Sequence, residues 1–260
     1  MAEADSGFNY DPTKNYDDQI CAQQRDIEKQ ITDEQSLVSN ILSFDVLKTE
    51  YQDDQVFQNK IQDIKSRYKH MRKTRGDGNC FFRAFGFAYL EHLLKDDSDF
   101  PRFKEVASKS KDELVSLGFP QFTIEDFHDT FMEVIDKVGN KISYEEFFQL
   151  YTDQGISDYF VVYLRLIVSG HLQKEEDFFM NFVEGGRTVK EFCNQEVEPM
   201  HKESDHIHIT ALTAALGVTI RVEYMDRGDS DKCNQHDFPD GSKPDIFLLY
   251  RPGHYDILYP

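Results

Sequence analysis

Strand-like patterning is confined to the end of this chain. Up to Ser204 the apolar side chains recur at helical spacings, whereas VTIRVEY at 218–224, DIFLLY at 245–250 and YDILY at 255–259 read as strands. Helices through the first two-thirds with strands clustered late define a mixed α and β (α+β) fold, with a small sheet and a large helical part. Arg251-Pro252-Gly253 is a tight turn, so the last two strands form a hairpin with His254 at its exit. The polar run DRGDSDKCNQHDFPDGSK at 226–243 is expected to be a surface loop.

Within the helical part, Phe57, Ile61, Ile64 and Tyr68 stand at i, i+4, i+7 and i+11, and the globular domain is expected to begin near Leu42. CFFRAFGFAYLEHLL, starting at Cys80, is apolar enough for a buried helix. Phe127, Phe131, Val134, Ile135 and Val138 make a further stripe, and Ser143 with Glu146 makes a capping box. Ser157 is expected to cap the apolar helix through Val168, and Asp205 one that ends at Gly217. Ahead of these, residues 1–15 read as a solvated acidic tail, and Ile20, Ile27 and Ile31 form a narrow apolar stripe on a charged helix. The expected organisation is tail 1–15, helical arm 16–41 and folded domain 42–260.

Charge narrows the partners. Lys and Arg number 29 against 48 Asp and Glu, a net −19, which argues against nucleic acid because phosphate binding needs a basic face. Cys21, Cys80, Cys193 and Cys233 contain no CxxC pair. The N-terminal residues carry no secretory pattern, and the most apolar stretch, YFVVYLRLIV at 159–168, holds an arginine and is too short to span a bilayer. The expectation is a chain of the cytosol or nucleus with no membrane segment.

The chemistry lies at Arg75-Gly76-Asp77-Gly78-Asn79-Cys80. A cysteine in the first turn of a helix feels the positive end of the macrodipole, which favours thiolate. The glycines before it let the amides of Asp77, Gly78 and Cys80 converge where a tetrahedral oxyanion would form. Far away, His254 and Asp256 stand at i and i+2 of one strand, so one carboxylate can orient one imidazole on the same face. Cys80, His254 and Asp256 would then be nucleophile, base and orienting acid. On spacing alone, a buried structural cysteine and an incidental turn histidine remain open.

Asp77-Gly78-Asn79-Cys80-Phe81 together with His254-Tyr255-Asp256 resembles the signature of the ovarian-tumour (OTU) cysteine proteases, which remove ubiquitin. KTRGDGNCFFRAFGF, SDYFVVYLRLIVSG, EGGRTVKEFC, EVEPMHKESDHIHI, VEYMDRG and LLYRPGHYDILY extend the likeness to the otubain subfamily, and the extended N-terminus to its long-armed branch. The resemblance implies a papain-like fold with a central sheet, a large helical part and an N-terminal arm. It implies Cys80 as nucleophile, His254 as base, Asp256 as its acid and Asp77 as a fourth site residue. It implies a monomer without cofactor or metal that binds ubiquitin and polyubiquitin around 178–184 and 203–210, including Phe182 and His206. The arm, with Ile20, Ile27 and Ile31, would hold the proximal ubiquitin and favour the proteasome-targeting linkage. Inhibition of ubiquitin-charged conjugating enzymes is implied as well. Two departures stand out: Gly76 replaces a usual Pro, which suggests a less preorganised loop, and Phe82 replaces a common Tyr.

Other sites are poorly supported. His201, Glu203, Asp205, His206 and His208 have a metal-like composition, but on a helix two histidines two apart diverge by about 200°. DKVGNKISYEEF from Asp136 lacks the glycine and final glutamate of a calcium loop. Gly76 and Gly186 lie in no nucleotide-binding motif.

Overall fold

Five strands form one sheet in a computed structural model that describes residues 34–228 and 230–260. They are β1 (His70–Arg72), β2 (Ile220–Tyr224), β3 (Asn234–Phe238), β4 (Ile246–Arg251) and β5 (His254–Tyr259), in the spatial order β1-β5-β4-β2-β3. Only β2 and β4 are parallel. The terminal hairpin forms as expected and places Arg251 directly opposite His254.

Alternation along the strands divides the interior. Ile220, Val222, Ile246, Leu248, Tyr255 and Ile257 belong to a large core with the helices, whereas Leu249 and Leu258 join a smaller cluster with Phe57, Ile61, Ile64 and Tyr68. The predicted Phe57 stripe thus serves the second layer; Gln55–Lys65 is its helix, and Tyr68 lies just beyond the helix end. The large core is centred on the helix Cys80–Lys95, which is buried nearly all round. Phe81, Phe82, Phe85 and Phe87 each contribute roughly 1.5–3 kcal/mol of burial there. Against it pack Gln121–Gly139, with Phe131, Val134, Ile135 and Val138 inward, and the long helix Gln154–Lys174.

The capping box of Ser143 and Glu146 opens Tyr144–Tyr151, and the helix His206–Leu216 ends at Gly217 in the left-handed region, φ 63°. Ser157 is not a cap. Asp153 caps that helix by accepting from the Ile156 amide, and Ser157 is buried one turn inside, bonded to Arg83. The 226–243 run is not all loop either: Asn234–Phe238 pairs antiparallel with β2. Its side chains are polar because it is an exposed edge strand, where pairing comes from the backbone and leaves no alternation to read.

The chain joins the domain before Leu42. The compact unit starts at Gln35, with Val38 bridging Thr74 and Leu42 bridging Met71, so 35–41 belong to the fold rather than the arm. Ile20, Ile27 and Ile31 lie outside the described residues.

Candidate active site

The loop between β1 and the Cys80–Lys95 helix is built on two buried arginines. Arg83 points back from the helix, and its Nη1 donates to both carboxylate oxygens of Asp77 at 2.8 Å. Its Nη2 reaches Asp158 at 3.1 Å. Arg165 crosses from the Gln154–Lys174 helix and donates to the Gly78 carbonyl at 2.9 Å, Asn79 Oδ1 at 2.9 Å and the Lys202 carbonyl at 2.8 Å. Its guanidinium also lies 4.7 Å from the Phe82 ring centroid, so the Phe82 face is occupied without a hydroxyl. Gly78 has φ +75°, and a Cβ there would lie 2.3 Å from the His201 carbonyl oxygen; only glycine fits.

This loop delivers Cys80 to the first turn of its helix with 4% of its surface exposed. Asp77 helps by shape: besides Arg83, its carboxylate accepts the Asn79 amide at 3.0 Å. Burial alone would raise the Asp77 carboxyl, but the Arg83 charge and bonds outweigh it and hold it below the usual range. Its side chain supports the loop.

His254, first residue of β5, meets the thiol from the sheet. Its Nε2 hydrogen-bonds Asp256 Oδ1 at 2.9 Å, which leaves Nδ1 to face the other way. Nδ1 stands 3.7 Å from the Cβ position of Gly76, and the imidazole lies close enough to Cys80 for the thiol to act on its protonation. Burial disfavours the imidazolium, yet the bond to Asp256 and the influence of Asp256 and Cys80 prevail and lift His254 from 6.5 to about 9. Imidazole and carboxylate thus pair on one face as their i, i+2 spacing implies, and Cys80, far away in sequence, lies near enough to act on the imidazole.

Asp256 is fully buried, which by itself would protonate it. His254, Arg251 and the Thr74 amide hold it ionised instead. Arg251 is the residue that sequence reasoning missed. It donates to Asp256 Oδ2 through Nε at 3.0 Å and Nη2 at 2.8 Å, and through Nη1 to Glu50 at 2.6 Å and the Tyr51 hydroxyl at 3.1 Å. An arginine directly before a Pro-Gly turn and cross-strand from His254 was the available signal.

The other described cysteines differ in kind. Burial pushes the thiols of Cys193 and Cys233 up to about 12, and neither meets an imidazole. The Gly76 exchange also acquires a use: its amide donates to Gln35 Oε1 at 3.1 Å, a bond that proline cannot make.

A groove of about 570 Å³ has a lining that includes Phe178, Phe182, Glu184, Glu203, Asp205 and His206. Phe178, Met180 and Phe182 are exposed, and the Phe178 and Phe182 rings lie 5.4 Å apart. Glu203 links groove and site, since its Oε1 stands 3.4 Å from the Cβ position of Gly253. His206 and His208 diverge as the helical repeat requires: His208 is buried and accepts the Asp205 amide at 3.0 Å, while His206 faces the groove.

A buried helix-borne thiol near a strand-borne imidazole that is itself bonded to a carboxylate, on an α+β fold, is the arrangement of a cysteine peptidase. Residues 30–260 match the Peptidase C65 Otubain family, and the chain belongs to it. It is 58% identical over 245 residues to the ubiquitin thioesterase OTUB1 of Homo sapiens, covering 94% of this chain and 90% of that one. The OTU-domain deubiquitinating enzyme 1 of Arabidopsis thaliana is 45% identical, over 82% and 78% of the two chains. The solved complex of h/ceOTUB1, ubiquitin aldehyde and UBCH5B~Ub contains a chain that superposes with a TM-score of 0.89 at 37% identity, covering 94% of this chain and 98% of that one. A second complex, with UBC13~Ub, gives 0.88 at 36% identity, over 94% and 98%.

Proposed function

We propose that the chain hydrolyses isopeptide and thioester bonds at the C-terminus of ubiquitin, with Cys80 as nucleophile, His254 as acid and base, and Asp256 as its orienting carboxylate. The observation that carries this reading is the His254–Asp256 pair, Nε2 on Oδ1 at 2.9 Å, close enough to the buried Cys80 thiol for the two to act on each other's protonation. The Cys80 sulfur attacks the carbonyl carbon; a C–S bond forms and the π pair moves to oxygen. Loop amides receive that oxyanion. The intermediate collapses as the His254 imidazolium gives its proton to the leaving lysine amine. Water, deprotonated by His254, then releases the acyl group as a carboxylate and restores the thiol.

Substrate choice follows from the groove. A groove of aromatic side chains and carboxylates, whose Glu203 reaches the turn before His254, together with a nearly covered thiol, suits a basic, narrow peptide ending in two glycines, as ubiquitin's does. Phe182 and His206 would seat the distal ubiquitin. Ile20, Ile27 and Ile31 would hold the proximal one and set the preference for the proteasome-targeting linkage. A second activity is favoured by the solved neighbours, which hold conjugating enzymes charged with ubiquitin: inhibition of such enzymes without hydrolysis.

A cleavage panel of ubiquitin dimers of every linkage separates these activities. Cys80→Ala should abolish cleavage and spare conjugating-enzyme inhibition, whereas removal of residues 1–31 should damage inhibition and linkage preference. Cleavage retained by Cys80→Ala would overturn the assignment of the thiol.

A further inference from the structure

His201 lies outside the sequence-derived site, yet it is built against the loop that precedes the nucleophile. Its backbone is held at φ +66°, a conformation that is costly for a residue with a side chain. Three contacts accompany that strain. The His201 amide donates to Asn79 Oδ1 at 3.0 Å, its carbonyl packs where Gly78 would carry a Cβ, and its ring Nδ1 lies 2.8 Å from the Asp77 carbonyl oxygen. A carbonyl only accepts, so Nδ1 carries the hydrogen, and the 3.4 Å approach of Asn79 Nδ2 to the same nitrogen is a packing contact.

The consequence runs through peptide geometry. In a trans peptide the carbonyl and the next N–H point in opposite directions. Fixing the Asp77 carbonyl on His201 therefore turns the Gly78 N–H away from His201, and Arg165 fixes the following carbonyl, that of Gly78, in the same manner. Among the described residues the amides of Gly78 and Cys80 donate to no protein acceptor, so they are left for a ligand. Glycine at 78 has no side chain to resist rotation of this peptide, and a rotated peptide would present a carbonyl where a donor is needed.

We propose that His201 is a positioning residue that locks the Asp77–Gly78 peptide with its N–H available to the oxyanion. This rests on the reading of Cys80 as an acylated nucleophile. It concerns the same reaction, but not the identity of the substrate.

The test compares two reactions of the Cys80 sulfur in the full chain. Alkylation by iodoacetamide displaces iodide at a saturated carbon and makes no oxyanion. Acylation by p-nitrophenyl acetate forms a C–S bond through a tetrahedral oxyanion and expels p-nitrophenolate. His201→Gly removes the donor while relieving the backbone, and His201→Asn keeps a side-chain N–H and tolerates the left-handed conformation. His201→Gly should slow acylation about tenfold or more, as loss of an oxyanion donor does, with alkylation within about twofold of native. His201→Asn should recover most of the loss. Hydrolysis of a ubiquitin C-terminal fluorogenic amide should fall in kcat with KM unchanged. Equal slowing of acylation and alkylation would overturn the proposal, as would no change in either. Failure of the native chain on the ubiquitin amide with normal ester acylation would instead refute the ubiquitin reading, and the acylation ratio would still decide the role of His201.

Discussion

In Asp256→Asn the buried acceptor keeps its size and loses its charge. His254 is held at about 9 against an ordinary 6.5, and the gap, 9 − 6.5 = 2.5, amounts to about 3 kcal/mol of preference for the imidazolium. With its side chain 17% exposed, His254 needs little discount for solvent screening. The sign follows from linkage. A folded value above the unfolded one gives stability that is complete below pH 6.5 and disappears as pH rises through about 9. Asp256 itself sits below the usual carboxylate range, so it adds no slope there. The native chain should exceed Asp256→Asn in stability by up to about 3 kcal/mol more at pH 6 than at pH 10. Urea unfolding at pH 6, 8 and 10 measures the difference, and ¹H–¹⁵N correlations of the His254 ring give its midpoint directly. Because Cys80 also contributes to the rise and stays in place, the variant's midpoint should fall toward 6.5 and the stability difference should approach that upper figure from below. A native midpoint at or below 6.5, or a stability gap independent of pH, would refute the reasoning.

Arg251→Met leaves the fully buried Asp256 carboxylate without its guanidinium and should cost about 3–5 kcal/mol in urea unfolding; a loss under about 1 kcal/mol would show that the guanidinium is dispensable. Gly76→Pro should couple to Gln35→Ala by about 1 kcal/mol in a double-mutant cycle, because proline has no N–H for Gln35 to accept; additive effects would remove that bond from the account. Phe182→Ala should raise KM for ubiquitin substrates about ten- to hundredfold, as expected from losing about 1.5–3 kcal/mol of buried aromatic surface. Its kcat should stay unchanged, and an unaltered KM would take Phe182 out of the binding surface.

How much of this was legible depended on whether a signal was local. Cys80, His254 and Asp256 could be read because a helix start and a strand alternation each fix side-chain direction over a few residues. The cap of the long helix was misplaced because Asp153 and Ser157 are both capping types one turn apart, and only the observed bond from the Ile156 amide distinguishes them. The edge strand β3 was hidden by its polar composition, and the early start of the domain by the absence of a periodic pattern across 35–41. Arg251, Arg165 and His201 act on the site through contacts with distant segments, and no spacing in the sequence encodes those contacts. The resemblance to a known family supplied Asp77, whereas the structure supplied its manner of action, as an acceptor for Arg83.

Arg251 ties the acid of the site to the thinner of the two hydrophobic layers. Its partner Glu50 ends the short helix Asp45–Glu50, and its partner Tyr51 stacks on Phe57, ring centroids 4.6 Å apart, within the smaller cluster. That cluster has far fewer members than the core around the Cys80–Lys95 helix, so its segment should be among the first to open on warming. Each opening would release Arg251, weaken the hold on Asp256 and silence the imidazole while the bulk of the helices stays intact. Hydrolysis should therefore fade at lower temperature than the circular-dichroism signal, and return on cooling without any need to refold the core.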